Sequence, residues 1–208
     1  MRSCTLPSGI IEMWKFELAT VASGRLPANE EASAARFQQA DAAGRWRAGR
    51  LALRRILGRH CGLRPDEVPL LCGQWGKPFL LGGPSFNFSS AGNQAVIVVR
   101  RTGEVGVDVQ TAAVVPADLQ MVSDQPLGDA CTHLPRARWA RLEAVLKCRG
   151  QGFSAVVPAE LIAMLATTHG QVRSGGRPVW WSDQPHVGSA LCIAADAPWE
   201  QLLDCSLP

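Results

Sequence analysis

The sequence predicts an α+β protein made of two similar halves, and three observations carry that prediction. Short apolar runs with strand-like alternation, such as Ile10–Leu18 and Val105–Gln110, recur along the chain. Two longer stretches, near Asp41 to Gly62 and from Ala137 to Gly150, carry apolar residues at helical spacing. The order of elements is similar before and after the turn Arg101-Thr102-Gly103-Glu104, which divides the chain into halves 1–102 and 103–208. At 208 residues there is enough chain for one sizeable domain or two small, tightly packed ones.

Taken in order, Ile10–Leu18 reads as a strand with Trp14, Phe16 and Leu18 on one face. Arg25–Asn29 reads as a turn, with Asn29 able to cap a helix through Ala32, Ala35 and Phe37. A second helix starts near Asp41, turns Trp46, Leu51, Leu53, Ile56 and Leu57 inward, and stops at Gly62. Arginines occupy much of its other face. Leu70–Cys72 and Pro78–Leu81 form a hairpin around Gly73-Gln74-Trp75-Gly76-Lys77. Phe86–Ser89 is a short strand, Ser90-Ala91-Gly92-Asn93 a turn, and Ala95–Val99 a buried strand. Residues 111–134 read as loops with one short helix. Ala137–Gly150 is a helix, and Leu161–Ala166 fits strand or helix equally. Pro178–Trp181 and Ser189–Ala194 are strands, and Trp199–Leu203 a terminal helical turn.

Composition excludes several classes. A hydrophobic fraction of 47% with 19% charged residues argues against disorder. A net charge of +3 without any tyrosine argues against nucleic-acid binding. The arginines at 45, 47, 50, 54, 55, 59 and 64 nevertheless suggest a local anion site. Seven scattered cysteines without a Cys-x-x-Cys pair fit reduced thiols in the cytoplasm. No secretory leader or membrane span is expected, because Glu12 breaks the first apolar run at once.

Chemistry concentrates in Val105-Gly106-Val107-Asp108-Val109-Gln110. On a strand, Asp108 and Gln110 share one face while Val107 and Val109 pack behind. A buried acid there needs a cationic partner, and a metal ion is one candidate; otherwise Asp108 and Gln110 face water. Trp139, Glu143 and Lys147 share one helical stripe, which on its own is also an ordinary exposed pair.

Their order is more specific than any one of them. An arginine-rich helix precedes Gly76-Lys77-Pro78, Phe86-Asn87-Phe88-Ser89 and Gly106-Val107-Asp108-Val109, followed by Trp139-x-x-x-Glu143-Ala144-x-x-x-Lys147-x-x-Gly150-x-Gly152. From about Arg45 to Phe153 the chain resembles the 4′-phosphopantetheinyl transferases, in particular the larger, surfactin-synthetase-activating type with two halves related by a pseudo-twofold. The resemblance implies a single chain acting as an internal pseudo-dimer, without nucleic-acid or membrane partners. It also implies transfer of the phosphopantetheine arm of coenzyme A to a serine of an apo acyl or peptidyl carrier protein, serving fatty-acid, polyketide or peptide synthesis. Magnesium, or manganese in its place, would be held by Asp108, Gln110 and Glu143. Glu143, Lys147 and Asp108 would be the catalytic set, and Lys77, Ser89, Ser90, Arg45, Arg54 and Lys147 would surround coenzyme A, with Arg36 as a further candidate.

The chain departs from the family at four places. Gln110 stands where the family usually has glutamate, Ser90 where histidine is usual, and Leu142 where a lysine commonly precedes the glutamate. Residues 111–134 lack the usual Phe-x-x-x-Glu pattern. Loss of one acid weakens a metal site, so the alternative is a catalytically impaired relative that binds a carrier protein or coenzyme A.

Overall fold

The structure, a computed structural model, describes residues 7–111, 135–151, 164 and 167–207. Its helices are α1 (Ala28–Ala34), α2 (Ala40–Cys61) and α3 (Pro135–Arg149). Strands β1 (Ile10–Glu17), β2 (Leu71–Cys72), β3 (Pro78–Phe79), β4 (Ser85–Ala91) and β5 (Gln94–Arg100) precede the Gly103 turn. After it come β6 (Val105–Thr111), β7 (His169–Ser174), β8 (Arg177–Gln184), β9 (Ser189–Ala195) and β10 (Gln201–Cys205).

Two four-stranded sheets result, ordered β10-β1-β5-β4 and β6-β9-β8-β7, and β2 pairs with β3 in a small hairpin. All pairings are antiparallel except β10 on β1, where Ile10 stands opposite Gln201. The α+β prediction therefore holds.

The period-2 alternation of the strands sorts their side chains into three cores. Val96 and Val98 of β5 join Val105, Val107 and Val109 of β6 and Leu191 and Ile193 of β9 between the sheets. Ile97 and Val99 point the other way, against Leu53, Ile56 and Leu57 of α2. Cys192 and Ala194 of β9 meet Ala144, Val145 and Cys148 of α3. The layers thus run α2, first sheet, second sheet, α3, with β5 and β9 buried on both faces.

Glycines end both long helices as expected. Gly62 follows α2 at φ 67° and Gly150 follows α3 at φ 63°, a left-handed conformation that costs glycine little.

Several expectations are corrected. Pro27, not Asn29, precedes the first helical turn, so Asn29 lies inside α1 and its carbonyl accepts from Ser33 Oγ. Ser90 and Ala91 belong to β4, leaving Gly92-Asn93 as the turn. Trp199–Leu203 is not helical: pairing with the edge of β1 draws 201–205 into a strand and packs Leu202 on the central core. The arginine cluster faces acids of the same chain. Arg54 Nε donates to Glu30 at 2.6 Å, Arg50 lies 3.0 Å from Glu30, and Arg47 Nη2 donates to Glu31 at 2.8 Å. Arg54 is buried rather than solvent-facing, and Arg55 donates to the carbonyls of Ala22 and Ser23. The loops expected at 112–134, and the choice for Leu161–Ala166 apart from the buried Met164, lie outside the described residues.

Candidate active site

The site forms where β6 meets α3. Gly106, Asp108 and Gln110 share the face of β6 opposite Val105, Val107 and Val109. Gly106 packs directly on the helix backbone: a β-carbon there would stand 2.9 Å from Cys148 Cα and would also collide with Ala144 O and Cys148 N. Only glycine lets α3 come this close. The close approach brings the stripe carrying Glu143 and Lys147 onto Asp108, two residues further along the strand.

Asp108 is 1% exposed, so its carboxylate must be compensated. Lys147 Nζ bonds Oδ1 directly. Ser89 Oγ donates to the same oxygen at 2.8 Å, and Gln110 Nε2 donates to Oδ2 at 2.7 Å. Lys147 Nζ also lies 3.3 Å from Ser89 Oγ and 3.7 Å from Glu143 Oε2. Burial pushes the Glu143 carboxyl above the usual range; the Lys147 charge opposes that rise and the Asp108 charge adds to it. The thiols nearby are poor nucleophiles. Burial pushes Cys148 up to about 12 and Cys192 well above its ordinary value.

Two carboxylates share a single ammonium, which leaves one negative charge for a further cation. Asp108 and Glu143 offer hard oxygens and Gln110 one neutral amide oxygen, a donor set that suits magnesium or manganese. Among the described residues no group of three or more His, Cys, Asp or Glu side chains gathers around one point. Any such ion would therefore depend on two acids, an amide and its own waters or ligand oxygens.

The other expected site residues divide. Lys77 Nζ is engaged by Glu104 Oε2 at 2.9 Å, Val105 O at 3.2 Å and Cys148 O at 3.4 Å, tying the β2–β3 hairpin to β6 and to the end of α3. It adjoins the site through those backbone bonds. Ser89 is buried inside the cluster, while Ser90, its neighbour on β4, is exposed. Arg54 is not brought to the cluster; besides Glu30 it donates to Pro65 O at 3.0 Å and Val68 O at 2.9 Å. Arg45 and Arg36 are exposed and form no ion pair among the described residues. Arg141, beside Leu142, is fully buried and grips Asp183 of β8 through Nε and Nη2 at 2.6–3.1 Å. Asn87 was given no role of its own by the sequence, yet its side chain holds the backbone of β6 at Val107. The Phe-Asn-Phe-Ser alternation was the signal: both polar residues occupy one face of a short strand.

No protein-family model matches the chain. Curated relatives do. The chain is 31% identical over 157 residues to slr0495 of Synechocystis, a protein provisionally named as a 4′-phosphopantetheinyl transferase; the match covers 66% of this chain and 64% of that protein. It is 27% identical over 216 residues to the 4′-phosphopantetheinyl transferase HetI of Nostoc, covering 93% of this chain and 89% of the relative. With the ordered motifs and the β6–α3 cluster, these similarities support the 4′-phosphopantetheinyl transferase superfamily for this chain.

Proposed function

We propose that the protein transfers the 4′-phosphopantetheine arm of coenzyme A to a serine of an apo acyl or peptidyl carrier protein and releases 3′,5′-ADP. The observation that supports this most strongly is the meeting of Asp108, Glu143 and Lys147 at one point of the β6–α3 face. In the reaction the serine Oγ bonds to the phosphorus of the phosphopantetheine arm, and the bond from that phosphorus to the bridging oxygen breaks. Glu143 takes the serine proton, and its raised proton affinity makes it a stronger base than an exposed glutamate. Lys147 supplies positive charge to the pyrophosphate as 3′,5′-ADP departs. Asp108 is held rigid by Ser89 and Gln110 and keeps the Lys147 ammonium in place. Magnesium or manganese, held by Asp108 and Glu143 with the Gln110 amide, would neutralise phosphate oxygens when bound.

On this reading coenzyme A lies along the β4–β6 seam, with Lys77, Ser89, Ser90 and Arg45 on its side and Lys147 at its pyrophosphate. The protein works as a cytoplasmic monomer whose two halves, 1–102 and 103–208, form an internal pseudo-dimer. No helix among the described residues is long and apolar enough to cross a membrane.

Incubation with magnesium, coenzyme A and an apo carrier protein should add about 340 Da to the carrier. Lys147→Ala should abolish the gain. Unmodified carriers across several types, beside a transferase working in parallel, would overturn the proposal. A second reading, a coenzyme A or carrier-protein binding module without chemistry, is favoured by one observation: an amide at Gln110 occupies Asp108 Oδ2. Coenzyme A binding that ignores both magnesium and Glu143→Ala would support it.

A further inference from the structure

Strands β4 and β6 are the end strands of their two sheets, and their open edges face each other. No backbone ladder joins them. Asn87 Oδ1 accepts from Val107 N–H at 2.9 Å, and one rung along Ser89 Oγ accepts from Val109 N–H at 3.2 Å. Beside these two rungs, the Val105 carbonyl accepts from Lys77 of the β2–β3 loop. Residues 105, 107 and 109 of β6 therefore turn their backbone groups away from β9, while Asp108 keeps its side chain on the α3 face. Asn87 is 5% exposed and has no part in the transfer chemistry described above.

The rungs have a geometric consequence. Both join residues twenty apart, 87 to 107 and 89 to 109, so they admit one register. A slip of two residues would move Ser89 off Val109 and break its 2.8 Å bond to Asp108. We infer that Asn87 is a positioning residue for Asp108: with Ser89 it locks the register of β6 against β4 and so fixes where the Asp108 carboxylate meets Glu143 and Lys147. The inference rests on the proposed transferase reading for its functional meaning, and on the two rungs for its geometry.

The test compares wild type with Asn87→Leu, which removes the acceptor at similar volume, by amide hydrogen exchange and by calorimetric titration with magnesium. Exchange at Val107 should accelerate about tenfold while Gly106 and Asp108, whose amides face β9, keep wild-type rates. Magnesium affinity should fall about tenfold, the usual scale for removing a group that supports a ligand, with the KM for coenzyme A unchanged. If Asn87→Leu does not fold, Asn87→Ser takes its place, offering the same kind of hydroxyl acceptor that serves the Val109 rung, and smaller shifts in the same directions are expected. Faster exchange spread evenly over β6 and β9 with unaltered magnesium affinity would reduce Asn87 to a stability residue and overturn the inference. So would a wild-type protein that binds no magnesium. Normal magnesium binding without carrier modification would instead overturn the transferase reading and leave the positioning role standing.

Discussion

Gly106 and Cys148 are in backbone contact across the β6–α3 interface, with room for a hydrogen atom and no more. That contact sets the distance between the strand bearing Asp108 and the helix bearing Glu143 and Lys147. Gly106→Ala should push the helix away and lower stability by about 1–3 kcal/mol, the usual cost of overpacking. Denaturant unfolding checks the stability, and residual transfer by the folded fraction should be far below wild type. A Gly106→Ala protein of wild-type stability would show that the helix can yield.

Glu143 gives a signed pH prediction. Its folded proton affinity is raised, chiefly by burial, so between its unfolded and folded values the folded chain binds more protons. The contribution to stability is full below the ordinary glutamate range and is lost as pH rises through the raised folded value. Glu143→Gln removes this dependence, so its stability relative to wild type should grow with pH across that window and then level off. The acid limb of the wild-type rate profile should lie above the ordinary glutamate range. Parallel unfolding curves at all pH values would contradict the assignment.

Arg54 separates structure from ligand binding. Replacing it with Leu strips the buried Glu30 of its 2.6 Å partner, although Arg50 remains at 3.0 Å. A loss of about 3 kcal/mol is expected, the lower end of the range for breaking a buried pair. The KM for coenzyme A should not move in the folded fraction. A large rise in KM with unchanged stability would return Arg54 to the ligand site.

Gln110→Glu tests the missing acid. The new carboxylate would face Asp108 Oδ2, where Gln110 now donates at 2.7 Å. Like charges in contact should lower the melting temperature without divalent cations, and millimolar magnesium should restore it. Calorimetry should show magnesium binding tightened about tenfold by the added charge. A melting temperature insensitive to magnesium would place residue 110 outside the ion's reach.

The sequence was most readable where local chemistry and tertiary packing agree. Gly62 and Gly150 marked the helix ends, and the valines of β5 and β6 marked the central core. The Asp108–Glu143–Lys147 cluster was foreseeable from residue order because Gly106 permits the contact. Strand β10 was misread because Gln-Leu-Leu-Asp-Cys has no β-branched residue, and parallel pairing with β1 outweighs that weak propensity. Strand β7 went unassigned because His-Gly-Gln-Val-Arg-Ser carries little apolar pattern. Its signal was the Gly175-Gly176 turn joining it to β8, a favoured hairpin pair with both φ angles positive. The arginines of α2 suggested an anion site because sequence does not show that Glu30 and Glu31 of α1 fold back onto them.

The parallel seating of β10 on β1 orders events in time. Ile10 and Gln201 are paired neighbours, although almost the whole described chain separates them. During synthesis β1 and β5 can pair early, but the other edge of β1 stays bare until residues 201–205 emerge. Contacts this distant in sequence slow folding, and a bare edge strand invites pairing with other chains. Fragments stopping short of β10 should therefore be the aggregation-prone products of this chain, however intact the β6–α3 residues within them.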